Sequence, residues 1–243
     1  MLFMSNTALR SWGLVRGIKL SWGLTKLVQP ASRLNNALQP EPYPQPARRL
    51  TTGTLRLGRL PSDFPYVTGS EHWKRKVRNL YKRYDSNADG YVTEEDFIAL
   101  GKRIAEIRNL DGEKANHVID KCLHRWEGIA GNKNKLTEDE YLQSIHSLTI
   151  QSRSRPELYH GFVSGDFKMM DIDDDGIVSK DEHVAFFYGL KVPKQFSNEM
   201  FAIMDTDKNG LITFEEFAEG FLEFWLTEDP NNKYNNFYGP LVD

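Results

Sequence analysis

From residue 73 onward, apolar residues recur three and four positions apart in short runs, and polar turns separate the runs. Trp73, Val77, Leu80, Tyr81 and Tyr84 form the first run, and Phe97, Ile98 and Ile104 the second. Val118, Ile119, Cys122, Leu123 and Trp126 follow, then Leu158, Phe162, Phe167 and Met170, then Phe196, Met200, Phe201 and Met204. Spacing of this kind places one apolar stripe on each of a series of helices. Pro156 and Pro193 sit where helices start or linkers turn, which fits that division. No uninterrupted apolar stretch of 18 residues occurs, so a transmembrane helix is not predicted.

The segments between the helices carry the chemistry. An oxygen-seeking cation such as Ca²⁺ takes six to eight oxygens, and a twelve-residue loop can supply them from positions 1, 3, 5, 7, 9 and 12. Glycine at position 6 permits the tight turn, and Glu at position 12 reaches back with two oxygens. Residues 171–182 meet each demand: Asp171, Asp173 and Asp175 at 1, 3 and 5, Gly176 at 6, the Ile177 carbonyl at 7, Ser179 at 9 and Glu182 at 12. Residues 205–216 repeat the pattern with Asp205, Asp207, Asn209, Gly210, the Leu211 carbonyl, Thr213 and Glu216. Two solvated acidic turns would have no reason to place Gly and Glu at the same offsets twice.

Residues 85–96 carry Asp85, Asn87, Asp89, Gly90, the Tyr91 carbonyl and Thr93 in register, but close on Asp96. Aspartate is one methylene shorter than glutamate, so this loop is expected to favour six-coordinate metal, meaning weaker Ca²⁺ binding or Mg²⁺. A further loop, counted back from Glu140, puts Ile129, Gly131 and Lys133 where acids are needed, with Asn134, Lys135, Leu136 and Thr137 following. It reads as a structural hand that has lost its ligands; the alternative is an irregular ligand set using Glu127 or Asn132. At position 8 of the four loops stand Val92, Leu136, Val178 and Ile212, which can pair first with second and third with fourth.

These observations predict an all-α protein of four helix-loop-helix units, the EF-hand arrangement, in two packed lobes. The expected divisions are a basic extension over 1–62, an N-terminal pair over 70–150 and a C-terminal pair with an aromatic tail over 155–243, linked near Thr149–Arg155.

Charge separates the extension from the rest. Residues 1–62 hold nine Lys or Arg against one acid, Glu41, for +8; with −3 overall, the remainder carries −11. An acidic body suits cations and is a poor partner for nucleic acid. Between Leu9 and Val28, Trp12, Val15, Ile18, Trp22 and Leu27 alternate with Arg10, Arg16, Lys19 and Lys26, a rough amphipathic helix without acids. That is the look of a mitochondrial transit peptide, with cleavage near Arg48 and Arg49; the bland alternative is an unprocessed basic arm, and a secretory signal fits less well because charges break every apolar run. Seven prolines between Pro30 and Pro65 favour an extended linker. Otherwise the location expected is cytoplasmic.

The lone cysteine, Cys122, falls on the apolar stripe and reads as a core thiol. His72, His117, His124, His146, His160 and His183 are scattered without a nucleophile or metalloprotease pattern, so no enzyme is predicted and the histidines read as surface or packing residues.

From about residue 70 onward the chain resembles the invertebrate sarcoplasmic calcium-binding proteins and calexcitins. The resemblance rests on DSNADGYVTEED with its terminal Asp96, the ligand-poor second hand, DIDDDGIVSKDE, DTDKNGLITFEE and the tail FLEFWLTEDPNNKYNNFYGPLVD. It implies a compact all-helical protein, its lobes packed around many aromatics, that buffers Ca²⁺ and Mg²⁺ in the cytosol; the loops themselves predict three metal sites, the first open to Mg²⁺, and a monomer is expected. The basic extension departs from that family. Two other roles fit a related scaffold: a sensor that exposes a protein-binding face on taking up Ca²⁺, and a carrier like the coelenterazine photoproteins and luciferin-binding proteins. The body's methionines, Met169, Met170, Met200 and Met204, lie on incoming helices, while the outgoing helices carry Phe186, Phe187, Phe217, Phe221, Phe224 and Trp225. Stiff aromatics suit a closed core better than the flexible methionine-rich groove of a sensor.

Overall fold

A computed structural model describes residues 59–152 and 156–241, with the side chains of 152 and 156–159 excepted. The transit-peptide reading falls outside what is described, as does the side chain of Leu158, whose backbone is helical. Among the described residues there are eight α-helices: α1 (Glu71–Tyr84), α2 (Glu94–Ile107), α3 (Gly112–Ala130), α4 (Glu138–Ser152), α5 (Pro156–Met170), α6 (Lys180–Gly189), α7 (Lys194–Met204) and α8 (Phe214–Leu226). Between them lie four short strands, β1 (Val92–Thr93), β2 (Lys135–Leu136), β3 (Ile177–Ser179) and β4 (Leu211–Thr213). No described helix is long and apolar enough to cross a membrane.

Each pair of loops is joined as the position-8 residues predict. β1 and β2 run antiparallel with Val92 opposite Leu136, and β3 and β4 with Val178 opposite Ile212. All four side chains are buried, so the two-residue β1–β2 ladder and the three-residue β3–β4 ladder each add an apolar pair to the core. Helix α4 continues to Ser152, so Thr149 to Ser152, expected in the linker, are helical, and Thr149 is buried. The connection between the pairs is shorter than its polar sequence implies.

The two lobes share a core. Helix α2 of the first lobe crosses α6 of the second, and there Gly189 lies so close that a Cβ would meet Ile104 Cγ1 at 2.7 Å. Helix α1 meets the C-terminal end of the chain: Trp73 Nε1 donates to the Trp225 carbonyl at 2.9 Å, and Lys76 Nζ donates to the carbonyls of Phe224 and, at 2.9 Å, Thr227. The tail then folds back. Tyr234, Phe237 and Tyr238 are buried, and the Phe237 ring sits edge-on to Phe217 and Phe221 at 5.3 and 6.1 Å between centroids. At the centre, Arg125 of α3 pairs with Asp166 of α5, both buried, and Tyr238 of the tail donates to the same carboxylate. Cys122 is buried as expected, its thiol pushed up to about 12 by burial.

Candidate metal centres

Loops one, three and four share one local geometry. The Asp at position 1 ends the incoming helix, and its carboxylate turns back to accept the amide of the glycine at position 6: Gly90 to Asp85 at 3.0 Å, Gly176 to Asp171 at 3.2 Å, Gly210 to Asp205 at 2.9 Å. That closure needs left-handed backbone at position 4, with φ of 59° to 60° at Ala88, Asp174 and Lys208, and φ of 84° to 87° at the glycines. Only glycine takes the latter values cheaply. The position-5 side chains accept the amides of Tyr91, Ile177 and Leu211, the residues whose carbonyls were assigned as ligands, at 2.9, 2.9 and 2.8 Å.

Position 12 has two tasks. It is also the third residue of the outgoing helix, and position 9 is that helix's N-cap, so the two make a capping box. Glu182 Oε2 accepts from the amide and hydroxyl of Ser179 at 2.8 and 2.7 Å, and its Oε1 accepts the Ile172 amide at 2.8 Å. Glu216 does the same with Thr213 and Thr206. Asp96 reproduces the pattern on its shorter arm, taking Thr93 N at 3.0 Å but Ser86 N only at 3.3 Å.

The loops differ in how closely their acids converge. Carboxylate oxygens of Asp171, Asp173 and Asp175 lie within 4.8 Å of one another, as do those of Asp205, Asp207 and Glu216. A bound cation would relieve the repulsion among such crowded like charges. Asp171 makes the need concrete: its Oδ1 is buried without a protein partner, and burial, partly offset by Lys121, pushes its carboxyl up to about 6. The donor sets of loops three and four therefore fit a hard divalent cation. Asp85, Asn87 and Asp89 of loop one lie together, Asn87 Nδ2 donating to Asp89 Oδ2 at 3.0 Å, with an amide where loop three has an acid.

Loop two carries its own cation. Lys133, at position 5, reaches Glu140 at position 12 with Nζ 2.7 Å from Oε1, while Glu140 Oε2 keeps the capping box with Thr137. The ammonium and the Thr137 amide hold the Glu140 carboxyl down to about 2. Asn134 has none of the left-handed backbone of the loop glycines, and Glu127 lies 3.7 Å from His124 on its own helix. The sequence showed that acids were missing there; it did not show that Lys133 reaches the position-12 carboxylate.

Paired loops, capping boxes and converging carboxylates define an EF-hand protein of the calcium-binding type. Residues 165–222 match the family described as an EF-hand domain pair. The chain is 28% identical to the sarcoplasmic calcium-binding protein of Hediste diversicolor, over 71% of this chain and all of that one. It is also 28% identical to the luciferin-binding protein of Renilla reniformis, over 73% of this chain and all of that one. Among solved structures it superposes on the calcium-loaded apo form of the coelenterazine-binding protein of Renilla muelleri with a TM-score of 0.64 and 26% identity, covering 72% of this chain and all of the other. The chain is thus an EF-hand protein similar to the sarcoplasmic calcium-binding proteins.

Proposed function

We propose that the protein is a Ca²⁺ and Mg²⁺ buffer with two strong calcium sites, in loops three and four, and a weaker or Mg²⁺-holding site in loop one. Asp171, Asp173, Asp175, the Ile177 carbonyl and Glu182 would hold the first strong ion; Asp205, Asp207, Asn209, the Leu211 carbonyl and Glu216 the second. Asp85, Asn87, Asp89, the Tyr91 carbonyl and Asp96 would hold the weaker one. The observation that carries the buffer reading is the sealing of the outgoing helices. Phe186, Phe187, Phe217, Phe221, Phe224 and Trp225 are each at most 1% exposed, covered by the other lobe and the tail. A sensor must uncover such a face to bind a target. Here that would require pulling Phe237 and Tyr238 out of the core. The test is a hydrophobic dye: adding Ca²⁺ to the Mg²⁺ form leaves its fluorescence flat, and a strong rise would make the protein a sensor.

The likeness to luciferin- and coelenterazine-binding proteins supports a second reading, a carrier of an aromatic organic ligand between the lobes. The buffer is favoured because ring-on-ring packing and the Arg125–Asp166 pair occupy much of the described core. Protein purified from its source would show absorbance beyond that of tryptophan if it were a carrier. The reading assigns no reaction to the chain. For residues 1–62 we propose mitochondrial import, on composition alone; a reporter fused behind them would stay cytosolic and uncut if that is wrong.

A further inference from the structure

Each lobe sends a lysine to the opening of the other lobe's first loop. Lys121, on α3 of the first lobe, donates to the carbonyls of Asp171 and, at 3.2 Å, Ile172, positions 1 and 2 of loop three. The same ammonium pairs with Asp174 Oδ1 at 2.8 Å, and His117 Nε2, one turn earlier on α3, lies 2.6 Å from Asp174 Oδ2. Asp174 is at position 4, where the side chain points out of the metal cage, so its carboxylate is spent on the neighbouring lobe. In the opposite direction Lys191, in the α6–α7 connection of the second lobe, donates to the Ser86 carbonyl at 2.7 Å, position 2 of loop one. Lys191 has left-handed backbone, φ 57°, at that point of contact. The Lys121 side chain is only 10% exposed, so water screens its charge less than that of a free surface lysine.

We propose that Lys121 is an affinity-setting residue for loop three: a fixed positive charge, delivered from the other lobe, that weakens Ca²⁺ binding there and ties the strength of that site to the packing of the lobes. Lys191 does the same, more weakly, for loop one. The inference rests on loop three binding calcium. A unit cation held against the first carbonyls of the cage opposes a dication, and removing it also leaves the Asp174 carboxylate beside the ion with only His117 as its partner. At water-like screening the combined effect is about three- to tenfold in affinity at low salt.

The test is a Ca²⁺ titration of the full chain followed by NMR at Gly90, Gly176 and Gly210, whose amides each donate to the first aspartate of a different loop. In Lys121→Met the Gly176 midpoint moves to about three- to tenfold lower Ca²⁺, while the Gly90 midpoint holds. Lys191→Met shifts Gly90 in the same sense, by less, and leaves Gly176 in place. Lys121→Arg, which keeps the charge, stays close to the parent. The gap between parent and Lys121→Met narrows on going from about 20 mM to about 500 mM salt. A Gly176 amide that ignores Ca²⁺ in the parent, or survives Glu182→Gln unchanged, would mean that the calcium reading of loop three has failed. A Gly176 midpoint that responds to Ca²⁺ but is unmoved or weakened by Lys121→Met would overturn the proposal and leave that reading standing.

Discussion

Lys133 and Glu140 close the second loop on itself, ammonium to carboxylate at 2.7 Å, where the third and fourth loops leave carboxylates facing one another. Both side chains are about half exposed, so the pair adds less than about 1 kcal/mol to stability. Its effect should show in charge instead. In Lys133→Met the Glu140 carboxyl, now near 2, rises toward an ordinary glutamate value, while the number of calcium ions bound stays the same. Carboxyl-carbon NMR and calorimetry read the two quantities. A fresh calcium site in the variant would show that only the lysine had silenced the loop.

Glu182→Gln and Glu216→Gln should each remove one strong site by calorimetric stoichiometry, because each gives up a charged arm with two oxygens. The capping box survives in part, since Gln can still accept an amide at the third position of the helix. Asp96→Glu should work the other way and tighten Ca²⁺ at loop one by about tenfold or more, at the expense of Mg²⁺. Four equal sites in the parent, or an unchanged count in either Gln variant, would refute the ligand assignment.

Burial lowers the Lys76 ammonium to about 8 from its usual 10.5, against the pull of Glu228 and Glu223. Between those values the unfolded chain holds a proton that the folded chain has released, so this group makes stability rise with pH. Across pH 8 to 10 the rise should be about 2 kcal/mol, and Lys76→Met should lack it. The Cys122 thiol, held up to about 12, acts in the opposite sense above about pH 9, but it does so in both proteins and drops out of the comparison. Urea denaturation of the two calcium-loaded proteins over this range gives the difference; parallel pH profiles would show that Lys76 keeps its charge when buried.

Asp166→Asn should cost about 3 to 5 kcal/mol, because it strands the buried Arg125 charge, whereas Tyr238→Phe should cost about 1 to 2 kcal/mol for one lost hydrogen bond. Replacing Arg125 and Asp166 together by apolar residues of similar size should recover most of the larger loss. Denaturant midpoints decide it, and a mild Asp166→Asn would place water at that centre.

What was legible in the sequence was whatever depends on short spacing. The twelve-residue pattern located the loops, and three- and four-residue recurrence located the helices. Position 8 gave both strand pairs, because Val92, Leu136, Val178 and Ile212 are apolar residues inside polar loops. What stayed hidden depends on distance along the chain. Arg125 and Asp166 are 41 positions apart and each reads as a polar residue on its own helix, yet together they occupy the middle of the core. Lys121 and His117 likewise look like the solvent face of α3 until the second lobe is laid against them. The end of α4 was misplaced for a local reason: Thr149 and Ser152 favour turns and caps over helix interiors, and the burial of Thr149 overrides that preference.

Helix α1 finds its cover in residues made long after it. Trp73 waits for the carbonyl of Trp225, Lys76 for those of Phe224 and Thr227, and Arg83 for that of Pro240, each about 150 residues later in the chain. During synthesis at roughly 5 to 20 residues per second, the first lobe therefore emerges many seconds before its missing wall. Loops one and two can pair at once, but the apolar face of α1 stays open to any sticky surface nearby until residues 224 to 240 have been made. A chain cut after Asn231 would carry every metal ligand and still lack Phe237, Tyr238 and the Pro240 carbonyl that Arg83 meets.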